Sequence, residues 1–510
     1  MDKQYAKETM ITREEGRCIG NEKISGNQDE CNITIQESNS DSHEISENER
    51  QWLKSLEKSR EYPTIGSSQK PKIHMVPKMH REIESNVRCY EPLVVALGPF
   101  HHGKSKLQPM EKYKEMMAIQ FADQESTEPK SAGVLSRLLT KSVSIDELYK
   151  KVKNIVPNVR ECYALDLIKD YSNEEFAQMM FLDGCFILQY ILCLVTGNYK
   201  KLQMKSHDIA FIRRDLFLLE NQLPFEVLHV LMSCRFNKDE GMRMIKTFIS
   251  SAHAKPPQNH GLIQSIKDVF LDFFGKICEG EGPYLIKEEN PAHLLEILRT
   301  QLIDPNVFSE GGCYLRGEWC SYRSAMELKR AGIRFRRGKS RRLSDIKFNS
   351  FHCSALLTLP SITIDDSTKS ELLNLVAYEA CPDTPDDFGV TSYLCFMDSL
   401  IDHAEDVKEL RSKGILLNFL GSDQEVADLF NEIATDLVPN PHAFVGVKDK
   451  IENHYNNKGK IWIAEWKNTH FTTPWTIFAF IAAIFVIGLE VTGTGLSGIQ
   501  TYFAVHPKGS

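Results

Sequence analysis

The sequence has few cysteines for its size and no CxxC pair. Thirteen cysteines are scattered over 510 residues. This density excludes a scaffold built on disulfides. Several of the cysteines lie within apolar runs, where a free thiol packs as a small hydrophobic group. These features indicate a reducing compartment for most of the chain.

The sequence also lacks an excess of positive charge, an apolar N-terminal run and a familiar catalytic motif. The formal net charge is −8 at pH 7, which excludes polyanion binding by the chain as a whole. Because no apolar run opens the chain, we expect no cleaved signal peptide of ordinary form. A GxSxG elbow, an HExxH pair and the kinase motif set are missing, so we expect no enzymatic activity.

The first 50 residues are polar and predict a disordered acidic tail. They contain 12 acidic residues, 6 basic residues and a single aromatic one. A segment of this composition cannot bury enough apolar surface to offset the entropy of ordering it. A charged linker is predicted at 51–71, and the folded region is predicted at 72–460.

Apolar segments of helical length dominate the folded region. Residues 176–195 and 211–232 indicate buried helices, the second bent or restarted at Pro224. The LVVAL run at 93–97 indicates a short strand or an extended segment. A looser, more polar connection is predicted at about 235–315. Further helices are predicted at 263–277, 371–380, 393–410 and 424–435, with Gly414 as a stop signal.

One uncharged segment near the C-terminus reaches the length needed to cross a bilayer. A transmembrane helix is predicted at 472–492, followed by a short tail at 493–510. Glu490 falls where the span should end, and a buried core helix is the alternative. The residues expected in hydrocarbon are Trp475, Ile477, Phe478, Phe480, Ile481, Ile484, Phe485, Val486, Ile487 and Leu489.

The helix predicted at 176–195 is also long enough to be a span. Asp183 lies near its centre, and a soluble core satisfies such a group more easily than lipid does. We therefore predict a core helix there. The fold class is mainly α: a large helical globular region with a few short strands, plus a single C-terminal transmembrane helix. We predict a single-pass protein of the plasma membrane or endomembrane. Lysines before the span favour a cytoplasmic location for the bulk of the chain.

One segment matches the phosphate-loop pattern GxxxxGK[ST] residue for residue. It runs from Gly98 to Ser105, with Gly103 and Lys104 at defining positions, and it follows the LVVAL run. Pro99 offers no N–H to a phosphate, and the three residues after it are bulky. We interpret the match as coincidence and expect no cofactor. A nucleotide-binding enzyme that uses this loop remains the alternative.

Three further groups of polar residues are candidate ligand-binding groups. His101 and His102 are adjacent and rarely converge on a metal without other ligands, so we expect no metal site. Asp398, Asp402 and Asp406 have helical i, i+4 spacing, which we interpret as an exposed acidic face. Asp365-Asp366 follows a strand-like run and suits a helix cap.

A run of nine residues carries six cations. They could contact nucleic acid or anionic lipid headgroups, or they could lie in a solvated loop. For a membrane-bound chain we prefer lipid and expect no nucleic-acid partner. The six residues are Arg334, Arg336, Arg337, Lys339, Arg341 and Arg342.

Several phrases, in this order, resemble one plant family, the proteins grouped as domain of unknown function 247 (DUF 247). They are Tyr90-Glu91-Pro92, Leu97 to Gly103, Phe181 to Leu188, Leu219 to Phe225, Ile364-Asp365-Asp366, Glu405-Asp406-Val407, Gly421-Ser422-Asp423 and Pro474-Trp475. The resemblance covers about residues 72–490. It implies a largely helical plant protein with a C-terminal membrane helix and no established enzymatic activity. In the family phrase Gly-Pro-Phe-His-His-Gly, the match to a phosphate loop is accidental.

The functional prediction combines the anchor with the missing active site. We expect a membrane-tethered recognition or interaction protein with the lipid bilayer and an unidentified protein as partners. Some grass members of the family are implicated in self-incompatibility, so the resemblance implies cell–cell signalling or self-incompatibility-type recognition. A nucleotide-binding enzyme and a soluble structural protein are the alternatives.

Overall fold

The computed structural model describes most of the chain outside the first 45 residues. The described residues are 46–59, 73–123, 142–237, 239–252, 291–304, 323–351, 354–457, 459 and 474–505. The chain divides into two units, residues 1–69 and residues 70–510.

The first unit contains one described helix, α1 (Glu47–Ser59). The Glu49 amide donates to the Ser46 hydroxyl at 3.3 Å, and the Ser46 amide donates to the Glu49 carboxylate at 2.8 Å. This reciprocal cap starts the helix at Glu47, before the predicted charged linker at 51–71. The rest of the predicted tail, 1–45, lies outside the described residues.

Helix α6 (Asn173–Val195) is the centre of the core of the second unit. Ser172 and Glu175 cap its first turn with bonds of 2.9 and 3.2 Å. The helix is mostly apolar, and 89% of its most apolar window is buried in protein. The prediction of a core helix at 176–195 is confirmed. Around it and before it in the chain lie α2 (Lys78–Arg81), α3 (Glu111–Asp123), α4 (Ile145–Arg160) and α5 (Leu165–Ile168).

The chain after α6 forms two helices, α7 (Ser206–Asp215) and α8 (Phe225–Arg235), with Pro224 as the N-cap of the second. The predicted restart at Pro224 is confirmed, because proline opens a helix but cannot continue one. The 93–97 run bends at Leu93 and Val94 and forms no strand with any described residue.

Two helices of the predicted loose connection belong to the core. Helices α9 (Glu240–Ala252) and α10 (Leu294–Leu302) bury apolar side chains such as Phe248 and Leu298. One or two helices are expected in this connection, and each of these two has an apolar stripe at helical spacing. Residues 253–290, with the helix predicted at 263–277, and residues 305–322 lie outside the described residues.

The second half of the unit begins with α11 (Ala325–Arg330) and two small sheets. In the first sheet, β3 pairs parallel with β1 and antiparallel with β2. In the second, β4 pairs parallel with β5. The strands are β1 (Ile333–Arg337), β2 (Lys347–Ser350), β3 (Ala355–Leu359), β4 (Ile362–Ile364) and β5 (Leu416–Asn418).

Five helices pack on these sheets and on each other. They are α12 (Thr368–Glu379), α13 (Gly389–Leu400), α14 (Ala404–Ser412), α15 (Asp423–Ile433) and α16 (Val445–Tyr455). The single helix predicted at 393–410 is wrong, because the Asp406 carboxylate accepts the His403 amide at 3.1 Å and caps a separate helix. Gly414 follows α14 with φ +68°, as a helix stop requires.

The last helix, α17 (Pro474–Val505), is longer than predicted. It continues through Glu490 and the glycine-rich stretch, so the predicted tail at 493–510 is helical as far as Val505. The segment Phe478–Tyr502 is long and apolar enough to cross a membrane, and none of its apolar window is buried in protein. The predicted fold class, mainly helical with a few short strands and a C-terminal apolar helix, is confirmed.

Candidate functional site

The loop that matches the phosphate pattern is bound to the core by a buried ion pair. The Gly98 amide donates to one carboxylate oxygen of Asp183 at 2.8 Å, and Lys114 Nζ lies 2.6 Å from the other oxygen. Both charged side chains are only 1% exposed. Burial opposes the charge on Lys114, but Asp183 and Glu111 together raise its pKa. Lys114 therefore stays cationic. Burial raises the pKa of Asp183, and the Lys114 charge and the Gly98 amide oppose this rise.

A second buried carboxylate forms hydrogen bonds with the LVVAL segment. Asp215, at the end of α7, accepts the amides of Leu93, Val94 and Val95 at 2.9, 2.7 and 3.1 Å. Arg214 lies 3.1 Å from the same carboxylate. The segment turns these amides towards a side chain instead of a neighbouring strand. The carboxylate thus explains why an apolar, β-branched run forms no strand here.

The phrase Leu219 to Phe225 supplies the other contacts. The Asn221 amide oxygen accepts the Leu97 N–H at 2.7 Å, and its nitrogen donates to the carbonyl of Val95 at 3.1 Å. Gln222 donates to the carbonyl of Leu216 at 2.7 Å and accepts the amide of Leu295 at 3.2 Å. These side chains satisfy buried backbone groups, which is a structural task.

A cluster of titratable groups surrounds the loop closer to the surface. Glu91 contacts Arg81 at 2.7 Å and Lys104 at 2.8 Å, and Arg81 also lies 3.2 Å from Glu220. Lys104 Nζ donates to Nδ1 of the buried His101 at 2.8 Å. Burial and the Lys104 charge lower the pKa of His101 to about 4. His101 is therefore neutral at physiological pH.

These contacts occupy the groups that a phosphate loop would offer. The Gly98 amide and the Lys104 ammonium both face carboxylates, and Ser105 opens a 3-10 turn that runs to Met110. Gly103 has φ +79°, so the loop needs glycine there for its turn.

The described residues contain no group of three His, Cys, Asp or Glu that could hold a metal ion. His101 faces Lys104, whereas the ring of His102 packs edge-on against Tyr171 at 5.9 Å, so the two imidazoles diverge. The cleft beside Arg213, Arg341 and Asp365 encloses about 30 Å³, which is room for a single water molecule.

The carboxylates at i, i+4 spacing do not share a helix face. Asp398 lies in α13, Asp402 lies between helices, and Asp406 lies in α14. Asp406 is 3% exposed and accepts the Met326 amide at 2.8 Å, so the predicted exposed face is wrong for this residue. Burial and the charge of Asp402 raise the pKa of Asp398 to about 6. Asp365 accepts the Ser367 amide at 2.9 Å, which fits the predicted cap before α12.

The cationic run is partly a strand and not only a loop. Its first residues form β1, where Arg334 and Arg336 are exposed on one face, and Phe335 is buried on the other. Arg342 pairs with Asp304, and Arg341 donates to the carbonyl of Ser250 at 3.1 Å. Among the described residues, no carboxylate forms an ion pair with the other four cations, Arg334, Arg336, Arg337 and Lys339.

A further buried network was not predicted from the sequence. Arg299 of α10 contacts Glu379 of α12 at 2.9 Å and also pairs with Asp387. Glu379 accepts the amides of Val390 and Thr391, each at 2.9 Å, at the start of α13. This cluster of one cation and two carboxylates thus joins three helices. In the sequence, the only indication of this network was a polar residue within an apolar helical segment.

Helix α17 presents its apolar side chains to the outside. The exposed fraction of the predicted hydrocarbon residues ranges from 42% for Phe480 to 79% for Trp475. The side chain of Ile477 lies outside the described residues. The others are exposed, namely Trp475, Phe478, Phe480, Ile481, Ile484, Phe485, Val486, Ile487 and Leu489.

A family model described as a plant protein of unknown function, DUF247, matches residues 73–489. The chain belongs to this family. Two UPF0481 proteins of Arabidopsis thaliana are similar to this DUF247 chain. One is 28% identical over 437 residues, which cover 80% of this chain and 82% of the relative. The other is 22% identical over 507 residues, which cover 79% and 86%. No solved structure matches.

One consequence of burial in this DUF247 chain is a pH dependence of stability. His293 caps α10, with Nδ1 accepting the Glu296 amide at 3.3 Å, and burial lowers its pKa to about 3. Below pH 6.5 His293 is protonated in the unfolded chain, whereas in the folded chain it stays neutral down to about pH 3. Stability should therefore fall as the pH falls through this window.

The substitution His293→Asn keeps a cap acceptor and removes the titration. We expect the melting temperature of this variant to fall less steeply between pH 6.5 and pH 4.5 than that of the parent. The control is His403→Asn, at an exposed histidine that precedes α14. The hydrogen bond and the charge of Asp402 raise the pKa of His403. Protonation of His403 therefore does not lower the stability of the protein as the pH falls. An unchanged slope for His293→Asn would contradict the assignment.

Proposed function

We propose that this protein is a membrane-tethered interaction protein without catalytic activity. The observation that supports the proposal is α17. It has 32 residues, most of its surface is apolar, and no protein covers its apolar window. Apolar area of this size is normally buried or placed in lipid.

The length of α17 fits a bilayer with some excess. At 1.5 Å per residue the helix is about 48 Å long, whereas the hydrocarbon core of a bilayer is about 30 Å thick. The surplus is accommodated by tilt or by extension into the headgroup layer. Trp475, near the N-terminal end, has the amphipathic ring favoured at that interface.

The interior of the domain supports interaction more than catalysis. Its buried charges, Lys114, Asp183, Asp215, Arg299 and Glu379, all contact backbone amides or each other. Each therefore stabilises the fold. The protein partner is unidentified, and the family resemblance supports recognition between cells of the self-incompatibility type. The lysines before the span support a cytoplasmic location for the bulk of the domain.

The cations of β1 support a second contact with the same membrane. Arg334 and Arg336 are exposed on one strand face, and Arg337 and Lys339 follow them. Exposed cations near a membrane surface are attracted to anionic lipid, each by about 1 kcal/mol. We propose that this segment contacts anionic headgroups and not nucleic acid.

Alkaline extraction tests the tether. The full chain, made in cells, should remain in the membrane pellet after a carbonate wash at pH 11. A chain that ends before Pro474 should be released by that wash. On anionic vesicles at low salt the shortened chain should still bind through its cations, and it should leave at high salt. Release of the full chain by carbonate would contradict the proposal.

A further inference from the structure

The membrane segment contains one charged residue, and it lies at the middle. Glu490 is the midpoint of the 25-residue segment Phe478–Tyr502. About 18 Å of helix therefore separates it from either end of the segment. With the segment centred in a bilayer, neither end is within reach of a glutamate side chain. A carboxylate at this depth needs a partner, because hydrocarbon offers it none.

The helix itself supplies no counter-charge. No lysine or arginine occurs between Pro474 and Val505. Among the described residues, the Glu490 carboxylate forms no hydrogen bond or ion pair. The neighbouring hydroxyls are engaged with the helix backbone, since Thr494 donates to the Glu490 carbonyl at 2.7 Å and Thr501 to the Ser497 carbonyl at 2.8 Å. Glu490 thus requires a partner from outside the helix.

The face that carries Glu490 has the spacing of a helix-packing seam. Positions 483, 487, 490, 494, 497 and 501 alternate steps of four and three, which is the heptad pattern of paired helices. Four of the five positions besides Glu490 hold small residues, namely Ala483, Thr494, Ser497 and Thr501. Small residues let two helix backbones approach closely in a membrane.

The opposite face of α17, called the bulky face here, carries larger apolar side chains. It presents Phe478, Ile481 and Phe485 in the first half and Leu496 and Ile499 in the second, and all five are exposed. Large apolar side chains of this type suit contact with lipid tails. Gly488, Thr492 and Gly495 also lie on this bulky face, at the level of Glu490. The face that combines Glu490 with small residues suits packing against another helix.

We propose that α17 pairs, within the bilayer, with a helix of another membrane protein that carries a lysine or arginine at the depth of Glu490. Charge complementarity selects this partner over a second copy of the chain, because a second copy would bring two carboxylates together. The inference rests on the proposed membrane span. It assigns Glu490 a task that the family match, which ends at residue 489, does not include.

Energy transfer in vesicles tests the pairing. The full chain, labelled near its C-terminus, is reconstituted with a synthetic 25-residue leucine–alanine helix whose central residue is lysine or, as a control, leucine. We expect the lysine helix to associate at least ten-fold more tightly. Glu490→Gln should remove that preference while leaving insertion intact.

A pair of threonines gives a matched control for the face. Thr494→Leu, beside Glu490, should weaken association with the lysine helix several-fold, whereas Thr492→Leu, on the bulky face, should leave it unchanged. Equal association of both synthetic helices would overturn the proposal. So would energy transfer between two copies of the chain that depends on Glu490. Only samples that resist the alkaline wash are scored, so failure of the span itself is recognised separately.

Discussion

Lys114→Met is expected to lower the free energy of unfolding by about 3–5 kcal/mol, because it leaves the buried Asp183 carboxylate without its counter-charge. Both side chains are 1% exposed and lie 2.6 Å apart. Methionine fills a similar volume, so lost packing contributes little. The Gly98 amide remains as one donor to Asp183 but cannot neutralise it. Chemical denaturation of the full chain in mild detergent measures the change.

An exposed ion pair between α4 and α6 provides the control. Lys153 lies 3.8 Å from Glu174 at the start of α6, and both side chains are at least half exposed. Lys153→Met should cost less than about 1 kcal/mol, since water already solvates both charges. If the two substitutions had equal effects, the Lys114–Asp183 pair would not be the buried tie described above.

The second large effect is expected at Asp215. Asp215→Ala removes the acceptor of three amides, and unsatisfied buried donors cost about 1–3 kcal/mol each. Because Leu93 is partly exposed, water can replace part of the loss, and we expect a total of about 3–5 kcal/mol. Asp215→Asn retains an acceptor oxygen and should cost only about half as much.

Hydrogen exchange separates this explanation from general destabilisation. The amides of Leu93, Val94 and Val95 should lose protection in Asp215→Ala under conditions where the α6 amides remain protected. In Asp215→Asn their protection should be largely retained. Unchanged exchange of the three amides in Asp215→Ala would contradict the clamp.

The features that were predictable from the sequence are local ones. The capping proline at 224, the glycine at 414 and the apolar run of α6 each act through a few neighbouring residues. Asp183 distinguished a core helix from a span correctly, since a protein interior can offer Lys114 and lipid cannot.

The features that were missed depend on contacts between distant parts of the chain. Asp215 binds amides 120 or more positions away, and Arg299 meets Glu379 across 80 positions. The periodicity of a sequence gives no information about such pairs. The LVVAL run therefore had two possible interpretations, and the α10–α12 cluster was not predicted. The cations at 334–337 were assigned to a loop because arginines obscure the alternation of a short strand whose apolar face is Ile333 and Phe335.

The extent of α17 was underestimated for another reason. Glycines and a glutamate usually end a helix in water, where they favour other conformations. In α17 the backbone bonds continue through Gly493 and Gly495 to Val505. In hydrocarbon each unpaired backbone group would be costly, which favours an unbroken helix over this stretch.

The central claim is that α17 lies in lipid and α6 in protein, although both are long and apolar enough to span a membrane. Photolabelling with an apolar carbene reagent dissolved in the bilayer tests it most directly. After digestion of the labelled full chain, we expect label on peptides from 478–489 and background levels on peptides from 176–195. Label on the α6 peptides, or none on those of α17, would contradict the account.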